Sequence, residues 1–132
     1  MIVLYYTLSN SSCRKATKWF ETHDINIMSK RVSQICKRDL LHALALSNKG
    51  FDDILKKRNL STPLLKKQVN QVHSMSFNEG IDFILKHPEL LRVPLIISEN
   101  KLVLGYNSED IRVFLSHNHR AVQQLLQNKS VC

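Results

Sequence analysis

Leu4-Tyr5-Tyr6-Thr7-Leu8-Ser9-Asn10-Ser11-Ser12-Cys13-Arg14-Lys15-Ala16 is the stretch that decides the fold. Residues 2–6 are apolar and β-branched or aromatic, which predicts a short buried strand. A polar loop follows. A helix then opens on Ser11 or Ser12 and places Ala16, Trp19 and Phe20 on one face at helical spacing. Lys15, Lys18 and Glu21 fall largely off that stripe. The helix stops near His23-Asp24, and residues 25–32 read as a second strand. Strand, helix and strand of this length make a βαβ unit with parallel strands.

A chain of 132 residues fits a single domain that buries a real core. With only 3 Gly and 3 Pro it reads as ordered up to its tail. No apolar run approaches the roughly 20 residues that span a bilayer. The start, Met1-Ile2-Val3-Leu4-Tyr5-Tyr6, lacks the basic region of a signal peptide. Three irregularly spaced cysteines argue against a disulfide framework and for a reducing cytoplasm. Residues 1–75 hold 13 Lys/Arg against 5 Asp/Glu, while residues 76–132 hold 6 of each, so the whole net charge of +8 lies in the first part. Its densest cluster is Lys56, Lys57, Arg58, Lys66 and Lys67. Such a patch suits nucleic acid or an acidic partner, and equally a solvated face.

Residues 34–75 read as a helical insertion. Leu40, Leu41 and Leu44 share a face, as do Phe51, Ile54 and Leu55, and Gly50 between them suits a left-handed cap closing the first helix. Pro63 suits the first turn of a helix carrying Leu64, Leu65 and Val69. Ser76-Phe77-Asn78-Glu79 is a capping box, and Phe77, Ile81, Ile84 and Leu85 are the expected buried stripe behind it. Residues 94–98 and 101–105 predict a β-hairpin. Ser108 is the expected cap of a last core helix through Ile111, Phe114 and Leu115. A further amphipathic stretch, 119–127, reads as a docked helix or a mobile tail.

The order β-α-β, helical insertion, α-β-β-α predicts an α/β chain of thioredoxin-like layout. The core is expected at about 1–33 and 76–116, the insertion at about 34–75 and the tail at about 117–132. In that fold a strand begins at a cis-proline facing the first loop, and Val93-Pro94 stands at that place.

Ser12-Cys13-Arg14-Lys15-Ala16 with Trp19, His87-Pro88-Glu89-Leu90-Leu91-Arg92-Val93-Pro94 and Gly105-Tyr106-Asn107-Ser108-Glu109-Asp110-Ile111-Arg112 carry a specific likeness. On these residues the chain resembles the Spx family, in the group that also contains the thioredoxin-like arsenate reductases. The resemblance implies a transcriptional regulator, commonly of a stress response. Such a regulator binds the C-terminal domain of the RNA polymerase α subunit and meets promoter DNA weakly or indirectly. Gly50-Phe51-Asp52-Asp53 looks like the family's contact motif. Arg58 and Arg92 match family arginines that reach toward the redox loop and can hold an anion there. Lys56, Lys57, Lys66 and Lys67 are candidate phosphate contacts for a tethered protein. Several relatives are turned over by an ATP-dependent protease through a small apolar C-terminus, which Ser130-Val131-Cys132 does not resemble.

Asn10 stands where the family has the first cysteine of a Cys-x-x-Cys pair, leaving Cys13 alone. An amide cannot replace an attacking thiolate, so arsenate reductase chemistry is not expected, and neither is a disulfide within this loop. Cys13 reads first as a small packing residue. Helix dipole, Arg14 and Lys15 are expected to lower its pKa, and a weak redox role, oxidation to a sulfenic acid or a mixed disulfide, is the second reading. A thiol-dependent arsenate or disulfide reductase using Cys13 is the alternative. The six histidines form no metal set with the cysteines, and neither a metal nor any other cofactor is expected.

Overall fold

The computed structural model describes residues 1–56 and 62–115. Lys57, Arg58, the stretch 119–127, the tail and Cys132 lie outside them.

β1 (Ile2–Tyr6) runs through the middle of a sheet ordered β2-β1-β3-β4. It pairs in parallel with β2 (Ile27–Arg31) in the register Leu4 to Ser29, and antiparallel with β3 (Leu95–Ile97) in the register Leu4 to Ile96. β3 continues by a hairpin into β4 (Leu102–Leu104). Side chains alternate across these strands. Leu4, Ile96 and Val103 point to one face, where α1 (Ser11–Thr22) and a closing 3₁₀ turn (Asp110–Phe114) pack through Ala16, Phe20, Ile111 and Phe114. Tyr5, Leu95 and Ile97 belong to the larger core on the other face. Helices α2 (Lys37–Leu46), α3 (Phe51–Ile54), α4 (Pro63–Ser74) and α5 (Phe77–Lys86) cover it. The result is a three-layer α/β arrangement of thioredoxin-like type, with two strands buried on both faces.

Several elements form for the local reasons the residues suggest. Pro63 stands at the start of α4 behind a Thr62 cap, and the Ser76–Glu79 capping box opens α5 with both reciprocal bonds. The Val93–Pro94 peptide bond is cis.

Other expectations change. Leu41 is exposed and Ala43 takes its place beside Leu40, because the buried face of α2 runs through residues 40, 43 and 44. Leu64 is exposed, and α4 buries Val69 and Val72. Phe77 is 53 % exposed, while Gly80, Ile81 and Ile84 make the buried stripe of α5. Gly50 does have a positive φ of 63°, but Ser47 closes α2 and Gly50 opens α3. The last element is a 3₁₀ turn whose first amides, of Glu109 and Asp110, are capped by Asn107 Oδ1 rather than by Ser108.

The helical segment is tied down at two places, on the stretch leading into β3 and on β1. Leu55 bridges antiparallel to Leu91, with Lys56 N–H donating to Leu90 O at 2.9 Å and Arg92 N–H to Ile54 O at 2.9 Å. Deeper in the core the Tyr5 hydroxyl donates to the Asp39 carboxylate.

Candidate functional site

The Asn10 loop joins β1 to α1. Ser9 adopts a left-handed φ of 62° and turns the chain so that Asn10 becomes the N-cap of α1. Its Oδ1 accepts the Cys13 amide at 2.9 Å, satisfying one of the orphan donors at a helix start. Asn10 therefore has a structural use of its own, as the cap of α1. A cavity of about 560 Å³ opens beside the loop, bordered among others by Leu8, Asn10, Cys13, Arg14 and Lys18.

Cys13 is 4 % exposed. Burial pushes its thiol above the ordinary range, against smaller opposing effects from a Thr7 backbone hydrogen bond and the Arg14 charge. The expected lowering by helix dipole and neighbouring cations does not win, because desolvation of a thiolate outweighs charges that stand in solvent. Cys13 is a buried packing thiol, and Cys36, the other cysteine among the described residues, is exposed.

Arg92 does not border the Asn10 cavity. Its guanidinium donates to the backbone carbonyls of Asp53 at 3.2 Å and Leu104 at 3.4 Å, linking the end of α3 to β4. Arg58 lies outside the described residues. Lys56 is held by its backbone bond to Leu90, while Lys66 and Lys67 are exposed on α4. Lys57 lies outside the description.

The Gly50 segment is a tight loop built from its own residues. Asp53 Oδ2 accepts the amides of Asn48 at 2.8 Å and Lys49 at 2.7 Å, and Gly50 N–H donates to Ser47 Oγ at 3.0 Å. The Asp53 carboxylate is thus occupied in holding the loop. Asp52 is turned outward, with its side chain 65 % exposed and its Oδ1 3.2 Å from His73 Nε2 on α4. A Cβ added at Gly50 would meet nothing within 4 Å, so this corner of the loop faces open space. Phe51 is half-buried and packs its ring 5.6 Å from that of Phe77. Sequence reasoning missed both His73 and Phe77 at this site. Each comes from a different helix, and helical spacing carries no signal for such meetings.

Among the described residues no three His, Cys, Asp or Glu side chains cluster as metal ligands. No described helix is long and apolar enough to cross a membrane.

Comparison with known proteins settles the family. Residues 5–114 match the model of the ArsC family. The global transcriptional regulator Spx of Streptococcus pneumoniae is 34 % identical over 122 residues, 91 % of this chain and 90 % of that protein. The chain belongs to the Spx group of the ArsC family. Spx of Streptococcus pyogenes is 32 % identical over 129 residues, 96 % of this chain and 93 % of the relative. In fold, an ArsC-family-related protein from Bacteroides fragilis superposes with a TM-score of 0.68 at 20 % identity, covering 82 % of this chain and 92 % of the other.

Proposed function

We propose that the protein is a transcription regulator that acts by binding the C-terminal domain of the RNA polymerase α subunit, in a stress response, without a disulfide switch in the Asn10 loop. The observation that carries this reading is the near full-length likeness to Spx regulators. The Gly50 loop supports the point of contact. It is rigidly closed from within by Asp53 and Ser47, and it presents Gly50 and Asp52 to solvent. A preformed loop loses little conformational freedom on binding. Promoter DNA is a second, weaker partner through Lys66 and Lys67, whose contacts with phosphate carry no sequence information.

The loss of the switch rests on Asn10 and Cys13 together. One position holds an amide used as a helix cap, and the other a buried thiol whose pKa burial pushes up. The same pair argues against reductase chemistry, which needs an accessible thiolate. Control then falls to protein abundance in the cytoplasm, through expression and proteolysis.

Titration of the purified protein against the isolated α C-terminal domain tests the reading, with Gly50→Arg alongside. Saturable binding that is lost in the variant and unchanged by diamide is expected. Absence of binding by the unaltered protein rejects it.

A further inference from the structure

Phe77 is an aromatic ring on the surface that its own helix does not bury. A single exposed apolar residue is ordinary. This one is held in place. It is the first residue of α5, fixed behind the Ser76–Glu79 capping box, and its ring packs 5.6 Å from Phe51 at an interplanar angle of 34°. Phe51 is in turn lodged against α5. A Cβ at position 80 would come within 3.0 Å of Phe51 Cζ, so the ring sits where only glycine leaves room. Phe51 belongs to the edge of the core, and Phe77 is the ring left facing outward.

Two acidic residues, Asp52 and Glu79, stand on the segments that meet at Phe77, in a chain of net charge +8. Asp52 adjoins Phe51 and is turned outward, steered by His73. Glu79 is bound back onto the Ser76 amide next to Phe77. Lys49 begins the same loop as Gly50 and is the opposing cation there. An apolar ring with an acidic border fits a protein surface that presents an apolar hollow edged by Lys or Arg. A domain that rests against promoter DNA carries such cations.

We infer that Phe77 is the aromatic anchor of the surface that meets the α C-terminal domain, with Asp52 and Glu79 as its acidic border and Phe51 as its support. This rests on the polymerase-binding reading above and extends that contact from the Gly50 loop onto α5. Rigid, central aromatic residues dominate the energetics of most protein interfaces.

Calorimetric titration of the full chain against the isolated α C-terminal domain tests this, at low and at raised salt. The variants are Phe77→Ala, Phe77→Leu and Asp52→Asn, with circular dichroism of each as the check on folding. Phe77→Ala is expected to weaken binding by about tenfold or more, with Phe77→Leu between it and the unaltered protein. Salt is expected to weaken binding, less so for Asp52→Asn. Equal affinity for the unaltered protein, Phe77→Ala and Phe77→Leu overturns the anchor while the polymerase reading stands. Affinity indifferent to salt overturns the acidic border. No binding by the unaltered protein overturns both readings.

Discussion

The Tyr5 hydroxyl donates a hydrogen bond to the Asp39 carboxylate, joining the central strand β1 to the first turn of α2 across 34 residues of sequence. Both residues are buried, Tyr5 fully and Asp39 to 8 % exposure, so each is the other's answer to a desolvation cost. Arg38 Nε lies 3.6 Å from the same carboxylate, at the solvent edge. This bond fixes where the helical layer sits on the sheet, and hence where the Gly50 loop that follows α2 is presented.

Tyr5→Phe keeps the ring and removes the donor. The loss of a hydrogen bond to a charged group costs about 1.5–3 kcal/mol. Chemical denaturation at pH 7 reads that loss directly. A pH dependence accompanies it. Burial first, and the Asp39 bond second, raise the Tyr5 pKa above its ordinary 10.0. The folded state therefore holds the phenol proton more tightly than the unfolded chain does. The associated stability is fully present below pH 10.0 and falls as pH rises beyond it. Between pH 9 and 11, on the order of the phenol's own titration range, the gap between the unaltered protein and Tyr5→Phe is expected to narrow. A constant gap across that range would show that the phenol does not titrate differently on folding.

The two described cysteines differ in environment, and an alkylating reagent reads the difference. Cys36 is exposed, while Cys13 is buried with its pKa raised, which leaves less thiolate at neutral pH. Iodoacetamide at pH 7.5, about one unit below an ordinary thiol's pKa, is expected to modify the Cys36 peptide well before the Cys13 peptide by mass spectrometry. Denaturant is expected to abolish the contrast. Equal rates in the native protein would return Cys13 to the list of reactive thiols.

Asn10→Ala removes the cap of α1 and is expected to cost about 1 kcal/mol. Asn10→Asp keeps an accepting oxygen for the Cys13 amide and adds a charge favoured at a helix start. It is expected to match or exceed the unaltered protein in thermal stability. If Ala and Asp fall together, Asn10 matters for a reason other than capping.

What was legible in the chain follows from the range over which each signal acts. The strand-loop-helix opening, Pro63 and the Ser76–Glu79 box depend on neighbours within one turn, and they stand where the residues put them. Leu41 and Ala43 flank Leu40 and Leu44 at equal helical spacing, so the period alone does not choose between them, and the structure buries the side that carries Ala43. Phe77 fits the period of Ile81 and Ile84, but it is the first residue of its helix and projects past the edge of the core. Asn10 invites comparison with a thiol, yet asparagine before two serines and a helical stripe is itself a cap signal. The pairs that shape the candidate surface were not legible. Tyr5 with Asp39, Asp52 with His73 and Phe51 with Phe77 each join separate elements, and no single-sequence periodicity records which faces meet.

Arg92 offers a test of the link between the helical layer and β4. Its two nitrogens reach the Asp53 and Leu104 carbonyls from a fixed planar fork, a geometry that an ammonium lacks. Arg92→Ala is expected to cost about 1–3 kcal/mol, and Arg92→Lys to recover only part of it. Hydrogen exchange in the Gly50 loop should quicken in both, because the Asp53 carbonyl and the loop amides belong to one short segment. A full recovery by lysine would mean that one contact carries the link.

Gly80 sets the position of Phe51, and a double-mutant cycle isolates that role. Glycine inside a helix ordinarily costs about 1 kcal/mol relative to alanine. Gly80→Ala should therefore stabilise α5, except that its Cβ would stand 3.0 Å from Phe51 Cζ and 3.3 Å from Cε2. The ring must move, and overpacking of this kind costs about 1–3 kcal/mol. In the unaltered background Gly80→Ala is expected to be neutral or destabilising. In a Phe51→Ala background the obstruction is gone, and the same change is expected to stabilise by about 1 kcal/mol. Urea denaturation of the four proteins gives the coupling. Additive effects would mean that Phe51 yields freely, and that its contact with Phe77 does not depend on the space Gly80 leaves.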